Sequence, residues 1–341
     1  MVGTSTSETI DAGTRRQVVE NIAGAFDKYY VFPEVARSIG ETLQASLAAG
    51  DYDALAAPEA FAERLTTDLQ AVSHDKHIRV RYSRVARLYG GPEEEDSAVE
   101  TEEAIALARS QNFGFYKVER LDGNIGYLDL RSFWGAQTPG AGETAVAAMN
   151  LLAHTDALIV DLRRNGGGSP TMIALLTSFL FEAEPVHLNS FYERPADRHT
   201  QSWTLPYVPG QRTPDKPVYV LTSNRTFSAA EEFTYNLKNL KRATIVGETT
   251  GGGANPGGYI SATPHFHVFV PTGRAINPIT STNWEGTGVE PDMRVPQADA
   301  LDAAYRLALG TVIDKLGDAP ESDAAKSQVE EARAALATLG A

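Results

Sequence analysis

The sequence predicts a mixed α/β (α+β) protein with a helical domain at its N-terminus. Its 341 residues are enough for a sizeable core, divided between one large and one small domain. Residues 12–30, 34–49 and 55–71 are predicted as helices, and in the last of these apolar side chains recur at helical spacing. From residue 78 onwards, short apolar runs typical of strands alternate with helical stretches, which indicates a sheet packed against helices.

The remaining elements follow in chain order. Further strands are predicted at 78–82, 115–118, 125–130, 158–160, 186–189, 217–221 and 268–270. Further helices are predicted at 142–152, 299–312 and 324–339. We therefore expect a three-helix domain over 1–76, a connecting strand and acidic loop over 77–110, a core over 111–315 and a helical tail over 316–341.

Composition narrows the class of function. The formal net charge is −14, and seven acids between Glu93 and Glu103 predict a solvated loop. An acidic surface disfavours nucleic acid as a partner. We find no apolar run long enough to span a membrane, and no cysteine for disulfides or thiolate metal sites. The first eight residues lack a signal peptide's basic start and apolar stretch, so the sequence as written predicts a cytoplasmic protein, with an exported mature form left open.

Ser228 is the most informative residue. It follows the apolar run 218–221 and a short turn, and it precedes a stretch rich in Ala and Glu. A serine at a helix N-terminus lies among free N–H groups that stabilise negative charge, which suits a nucleophile beside a developing oxyanion. Serine is also a preferred helix N-cap, so this segment alone leaves both interpretations open.

A second turn follows the apolar run 157–162. Gly166, Gly167 and Gly168 allow close approach of the backbone, as in a plain strand-to-helix turn or an anion-binding nest. The pattern is not that of a dinucleotide-binding loop.

Four motifs in order carry a family resemblance. They are Asp-Leu-Arg-x-Asn-x-Gly-Gly (161–168), Thr-Ser-x-x-x-x-Ser-Ala-x-Glu (222–231), Val-Gly-Glu-x-Thr (246–250) and Glu-Gly-x-Gly-Val-x-Pro-Asp (285–292). Over about residues 15–310 the chain resembles the C-terminal processing (tail-specific) serine peptidases, most closely the branch with single modules of the interphotoreceptor retinoid-binding protein. The resemblance implies a crotonase-like core of stacked ββα units after a helical domain. Residues 84–110 are too few for the PDZ domain that many of these peptidases carry.

The chain departs from the family at the general base. Processing peptidases carry a lysine at the position of Gly253, and residues 247–254 contain no lysine here. The tricorn-type peptidases resemble this chain in using a histidine from the region that corresponds to Asp75-Lys76-His77. His77 is therefore the first candidate for the general base, and His74 is the second. Histidine titrates near neutrality, which suits a base for a serine hydroxyl. The alternative, without a catalytic role, is that both are surface histidines at a helix end.

The same resemblance implies the remaining site residues. Glu285 is the candidate third catalytic member, orienting the imidazole; alternatively, it braces the glycine turn that ends at Gly288. The Ala229 N–H is the first oxyanion donor, and the second comes from Gly167 or, failing that, Gly168.

Two functions from different classes follow. The first is a serine peptidase that cleaves a peptide or unfolded protein through an acyl-enzyme at Ser228. The second is a non-catalytic binder of an apolar small molecule, as in the retinoid-binding relatives. We expect no cofactor and no metal. His265 and His267 alternate around Phe266 without a third ligand at suitable spacing, which favours a surface strand. The sequence does not indicate the oligomeric state.

Overall fold

The computed structural model describes residues 8–91, 101–317 and 322–339. The helices there are α1 (Ala12–Tyr29), α2 (Pro33–Ala49), α3 (Pro58–Ser73), α4 (Glu102–Ser110), α5 (Ala141–Leu151), α6 (Pro170–Ser178), α7 (Ala229–Asn239), α8 (Ala300–Leu316) and α9 (Asp323–Thr338). The strands are β1 (Arg79–Tyr82), β2 (Phe115–Leu121), β3 (Ile125–Leu130), β4 (Ala157–Asp161), β5 (His187–Glu193), β6 (Arg198–Trp203), β7 (Val218–Thr222), β8 (Thr244–Gly247), β9 (Gly257–Ser261), β10 (Phe266–Pro271), β11 (Gly273–Ile276) and β12 (Met293–Arg294).

The chain divides into two compact units. The first comprises Met1–Val99, Phe191–Thr200 and Asn255–Ala275, and the second comprises Glu100–Ser190, Gln201–Ala254 and Ile276–Ala341. Strands β5, β6 and β11 form a small sheet in the order β11-β5-β6. The domain limits that we expect from the sequence stay a prediction.

The first unit packs α1, α2 and α3 around a three-stranded antiparallel sheet in the order β1-β10-β9. Asp11 caps α1 by accepting a hydrogen bond from the Thr14 N–H at 2.7 Å. The helices bury one apolar face each, and the Phe61 and Phe266 rings meet edge to face with centroids 5.8 Å apart. This core holds the end of α3 and the start of β1 in place.

The second unit is built on a six-stranded sheet in the order β12-β8-β7-β4-β3-β2. Every neighbouring pair is parallel except β2 with β3. Alternate residues of a strand point to opposite faces, and so the buried strands supply two cores. One core packs against α5, α6 and α7, and the other packs against α8 and α9.

Two local expectations differ from the structure. Glu102 and Glu103 lie in the first turn of α4 rather than in a loop, because Thr101 caps this helix and acids favour its positive N-terminal end. The other acids of that run lie in 92–100, outside the described residues. The surface-strand expectation is wrong for His267, which is buried in the central strand β10, where its Nδ1 lies 3.0 Å from the Ser261 Oγ.

The predicted fold class is confirmed: the molecule is mixed α/β with a helical N-terminal part, and no PDZ domain is evident in the described residues. Across residues 8–91, 101–317 and 322–339, none of the helices combines the length and the apolar character that crossing a membrane demands.

Candidate active site

The turn that carries Gly167 and the turn that carries Ser228 leave the sheet at the same edge. Strands β4 and β7 are parallel neighbours, with Asp161 opposite Leu221 near their carboxyl ends. The turn after β4 carries Gly167, and the turn after β7 carries Ser228. Ligands of open parallel sheets bind beyond such carboxyl ends, and so the topology alone brings the two motifs together.

Hydrogen bonds join the two turns. The Thr226 hydroxyl donates to the Leu162 carbonyl at 2.8 Å, and the Ser223 hydroxyl donates to the Arg163 carbonyl at 2.7 Å. The Phe227 N–H donates to the Asn165 carbonyl at 3.1 Å. These bonds fix the approach to Ser228 from β7.

A buried ion pair fixes the start of the first turn. The Arg163 guanidinium donates to both carboxylate oxygens of Asp161, at 2.9 and 2.6 Å, and the Tyr127 hydroxyl donates to the same carboxylate at 2.8 Å. Burial opposes the ionised form, but these hydrogen bonds outweigh it and hold the pKa of Asp161 below its usual range. The Asp-Leu-Arg motif is therefore a structural clamp beside the site.

Ser228 has an unusual backbone conformation. Its φ is 55° and its ψ is −123°, immediately before α7, and the residue is half-buried. An ordinary N-cap residue has β-region angles, as Asp11 does before α1. Strained backbone angles at a serine between a strand and a helix are typical of turns that carry a nucleophile, because they expose the serine hydroxyl. Ser228 does cap α7 in a capping box with Glu231, but capping alone does not require this conformation.

Gly167 lies directly against Ser228. A Cβ placed on Gly167 would come within 2.8 Å of the Ser228 Cβ and 3.0 Å of the Ala229 nitrogen, and its φ of +108° also requires glycine. The Gly167 N–H donates to the Asn165 Oδ1 at 2.9 Å. The N–H of Gly167, the first candidate for the second oxyanion donor, is therefore already engaged. The bond does not involve the N–H of Gly168, the next candidate.

Glu285 is held by one backbone group and one side chain of the second unit. Its Oε2 accepts a hydrogen bond from the Ala254 N–H at 2.5 Å, and its own N–H donates to the Asn283 Oδ1 at 2.9 Å. The neighbouring Trp284 donates from Nε1 to the Gly253 carbonyl at 2.7 Å. The Ala254 N–H orients the Glu285 carboxylate, and the other two contacts brace the glycine turn.

The two candidate histidines belong to the first unit and differ in environment. His77 has a side chain that is only 9% exposed, and its Nδ1 lies 3.5 Å from the Asp75 Oδ1. The His77 N–H donates to the same oxygen at 3.0 Å, and the ring stacks on Phe269. His74 is an exposed residue at the C-terminal end of α3, with a φ of 58°.

Asp75 is a residue that the sequence reasoning did not assign. Its carboxylate is buried and also accepts a hydrogen bond from the Asn255 Nδ2 at 2.9 Å, which leaves its other oxygen facing His77. A carboxylate in this position can orient an imidazole. The signal was present in the sequence as Asp75-Lys76-His77, whereas Asn255 lies 180 residues away and gave none.

Two family models match the chain. That of peptidase family S41 matches residues 124–295, which are 172 of the 341 residues. That of the N-terminal domain of this peptidase in eukaryotic IRBP matches residues 13–111. The resemblance drawn from the four motifs is thereby confirmed.

Curated relatives match over part of their length. The chain is 28% identical over 182 residues to a carboxy-terminal-processing protease of Bartonella bacilliformis, a match of 52% of this chain and 40% of that protein. It is 29% identical over 136 residues to the tail-specific protease of Haemophilus influenzae, with coverages of 39% and 18%. The chain therefore spans less than half the length of these two relatives.

Solved structures share the fold. Mature CPAF superposes with a TM-score of 0.62 at 13% identity, over 90% of this chain and 99% of that one. A lipoprotein from Streptococcus agalactiae gives a TM-score of 0.56 at 13% identity, over 87% of this chain and 96% of that one. At such identities the likeness concerns the fold alone.

Proposed function

Because the chain belongs to peptidase family S41, and thus to the serine-type peptidases, we propose that it hydrolyses peptide bonds by acyl transfer through Ser228. The observation that carries the proposal is the backbone of Ser228, with a φ of 55° and a ψ of −123° between β7 and α7. A residue keeps such a conformation only where its surroundings enforce it, and such residues concentrate at active sites.

His77 is the proposed general base in place of the family's lysine. The Ser228 Oγ attacks the scissile carbonyl carbon, and its proton passes to the His77 imidazole. The Asp75 carboxylate lies 3.5 Å from Nδ1 of that ring and can orient it, and Nε2 is the proposed acceptor of the proton. When the C–N bond breaks, the imidazolium returns the proton to the leaving amine, and a water then hydrolyses the acyl-enzyme by the same route.

The oxyanion of the tetrahedral intermediate is proposed to lie against the N–H groups of Ala229 and Gly168. The Ala229 N–H is in the first turn of α7, where N–H groups have no partner within the helix. Gly168 is preferred to Gly167 because the Gly167 N–H already donates to Asn165. Glu285 is proposed to support the histidine rather than to attack the substrate.

The names of the relatives support a proposal for the substrate class. Their names describe tail-specific and carboxy-terminal-processing proteases. We therefore propose that this chain cleaves extended peptide segments of protein substrates, near their C-termini.

Two serine variants test the proposal. Ser228→Ala should abolish hydrolysis of an activated ester and of a protein with an unstructured C-terminal tail. Ser281→Ala is the matched control, because Ser281 is exposed and shares the positive φ at 58° but lies in a different turn. Unchanged hydrolysis by Ser228→Ala contradicts the proposal, and saturable binding of an apolar ligand by a chain that hydrolyses nothing would favour the non-catalytic alternative.

A further inference from the structure

The Glu231 carboxylate is a buried acceptor with four donors. Glu231 is 0% exposed, although it lies only three residues after Ser228. Its Oε2 accepts hydrogen bonds from the N–H groups of Ser228 at 2.9 Å and of Gly253 at 2.8 Å. Its Oε1 accepts from the Thr250 hydroxyl and from the Gly252 N–H, both at 2.6 Å.

The four donors indicate that this carboxylate acts in its ionised form. An ionised carboxylate only accepts hydrogen bonds, and it has room for four of them. The Thr250 oxygen also accepts a bond from the Val289 N–H at 2.7 Å, and so its proton is available to Glu231. Burial leaves the pKa of Glu231 above its usual range, and the four hydrogen bonds oppose that rise by stabilising the charge.

These contacts connect two parts of the candidate site. One donor is the backbone of Ser228 itself. The other three are in the loop 250–254, where the processing peptidases carry their lysine and this chain carries glycine. The next N–H along that loop, that of Ala254, donates to Glu285. A single row of hydrogen bonds therefore runs from Ser228 through Glu231 and the loop to Glu285.

We propose that Glu231 is a positioning residue that sets the backbone of Ser228 and the loop 250–254, and with the loop the carboxylate of Glu285. Because this chain lacks the lysine, the loop contributes no side-chain base. Glu231 holds the loop in place, and the loop in turn supports Glu285. The inference rests on the proposed role of Ser228 as the nucleophile.

The test compares two neighbouring buried glutamates. Glu231→Gln keeps the size of the side chain but turns an NH₂ group towards at least one of the four donors. Glu232→Gln is the matched control, because Glu232 is in the same turn of α7 and is equally buried, but its carboxylate makes none of these bonds to the loop. We expect kcat for an activated ester to fall about 10²-fold in Glu231→Gln, as for a reacting group displaced by roughly 1 Å, with KM unchanged. Glu232→Gln should keep the kcat of the unmodified chain.

The outcomes separate this inference from the proposed function. An unchanged kcat in Glu231→Gln, or equal losses in both variants, overturns the positioning role. If Glu231→Gln does not fold, Thr250→Val replaces it; this variant removes one of the four donors and should lower kcat about tenfold with KM unchanged. Unchanged kcat in Thr250→Val then overturns the inference. Full activity in Ser228→Ala would instead refute the nucleophile itself, whatever the Glu231 variants do.

Discussion

Gly167→Ala is the substitution that most directly probes the contact between the two turns. The new Cβ would lie 2.8 Å from the Ser228 Cβ, 2.9 Å from the Phe227 carbonyl oxygen and 3.0 Å from the Ala229 nitrogen. Ordinary contacts at a Cβ begin at 3.4 Å, and so the neighbours must move by about half an ångström. The φ of +108° adds a backbone strain of about 1–3 kcal/mol.

Both effects can be measured. Urea unfolding should show a loss of about 1–3 kcal/mol, from the strain alone. The rate of fluorophosphonate labelling and kcat for ester hydrolysis should each fall about 10- to 10²-fold, because the displaced atoms are those of the nucleophile and of its neighbouring oxyanion donor.

Gly166→Ala provides the control within the same turn. A Cβ at Gly166 meets no heavy atom within 4 Å, and this residue is not among the glycines with a positive φ. Its stability and turnover should match those of the unmodified chain. If Gly167→Ala behaves like Gly166→Ala in all three measurements, the close contact with Ser228 is wrong.

The remaining predictions concern titratable side chains. His77→Ala should abolish ester hydrolysis, while the exposed His74 tolerates the same change; the reverse result moves the base to His74. Glu285→Gln should lower kcat about 10²- to 10⁴-fold with little change in melting temperature, and a large drop in melting temperature would mark a structural brace. Burial raises the pKa of Glu232 to about 7 from an ordinary 4.5, and so the folded state favours the protonated form and loses stability as pH rises through that window. The side chain that Glu232→Gln introduces stays neutral. Between pH 5 and pH 8 the unfolding free energy of this variant, measured in urea, should therefore rise by up to about 3 kcal/mol relative to that of the unmodified chain. The same difference between the two chains at both pH values contradicts this.

Local patterns predicted most of the longer elements. The helices α1, α2 and α8 and the strands β3 and β7 lie close to where the apolar patterns place them, because each buries one regular face or a whole apolar run. Strands β11 and β12 have four and two residues, too few to show a period. The pairing of β1 with β10 joins residues that are far apart in the chain, and nothing local indicates it.

In the candidate site, too, the sequence predicted what depends on local patterns and missed what depends on contacts made only in the fold. The sequence placed Ser228 between a strand and a helix, since both flanking elements have strong patterns. It could not show that the Asn165 side chain engages the Gly167 N–H, because that bond depends on the conformation of the glycine turn. It also gave Glu231 no role, since its four donors come from two separate parts of the chain.

The position of a covalent adduct tests most directly whether Ser228 is the nucleophile. The purified chain is treated with a fluorophosphonate, digested and mapped by mass spectrometry, with Ser228→Ala and Ser281→Ala treated in parallel. We expect a single adduct on Ser228, which is lost in Ser228→Ala and kept in Ser281→Ala. An adduct on another residue, or equal labelling of Ser228→Ala, would contradict it.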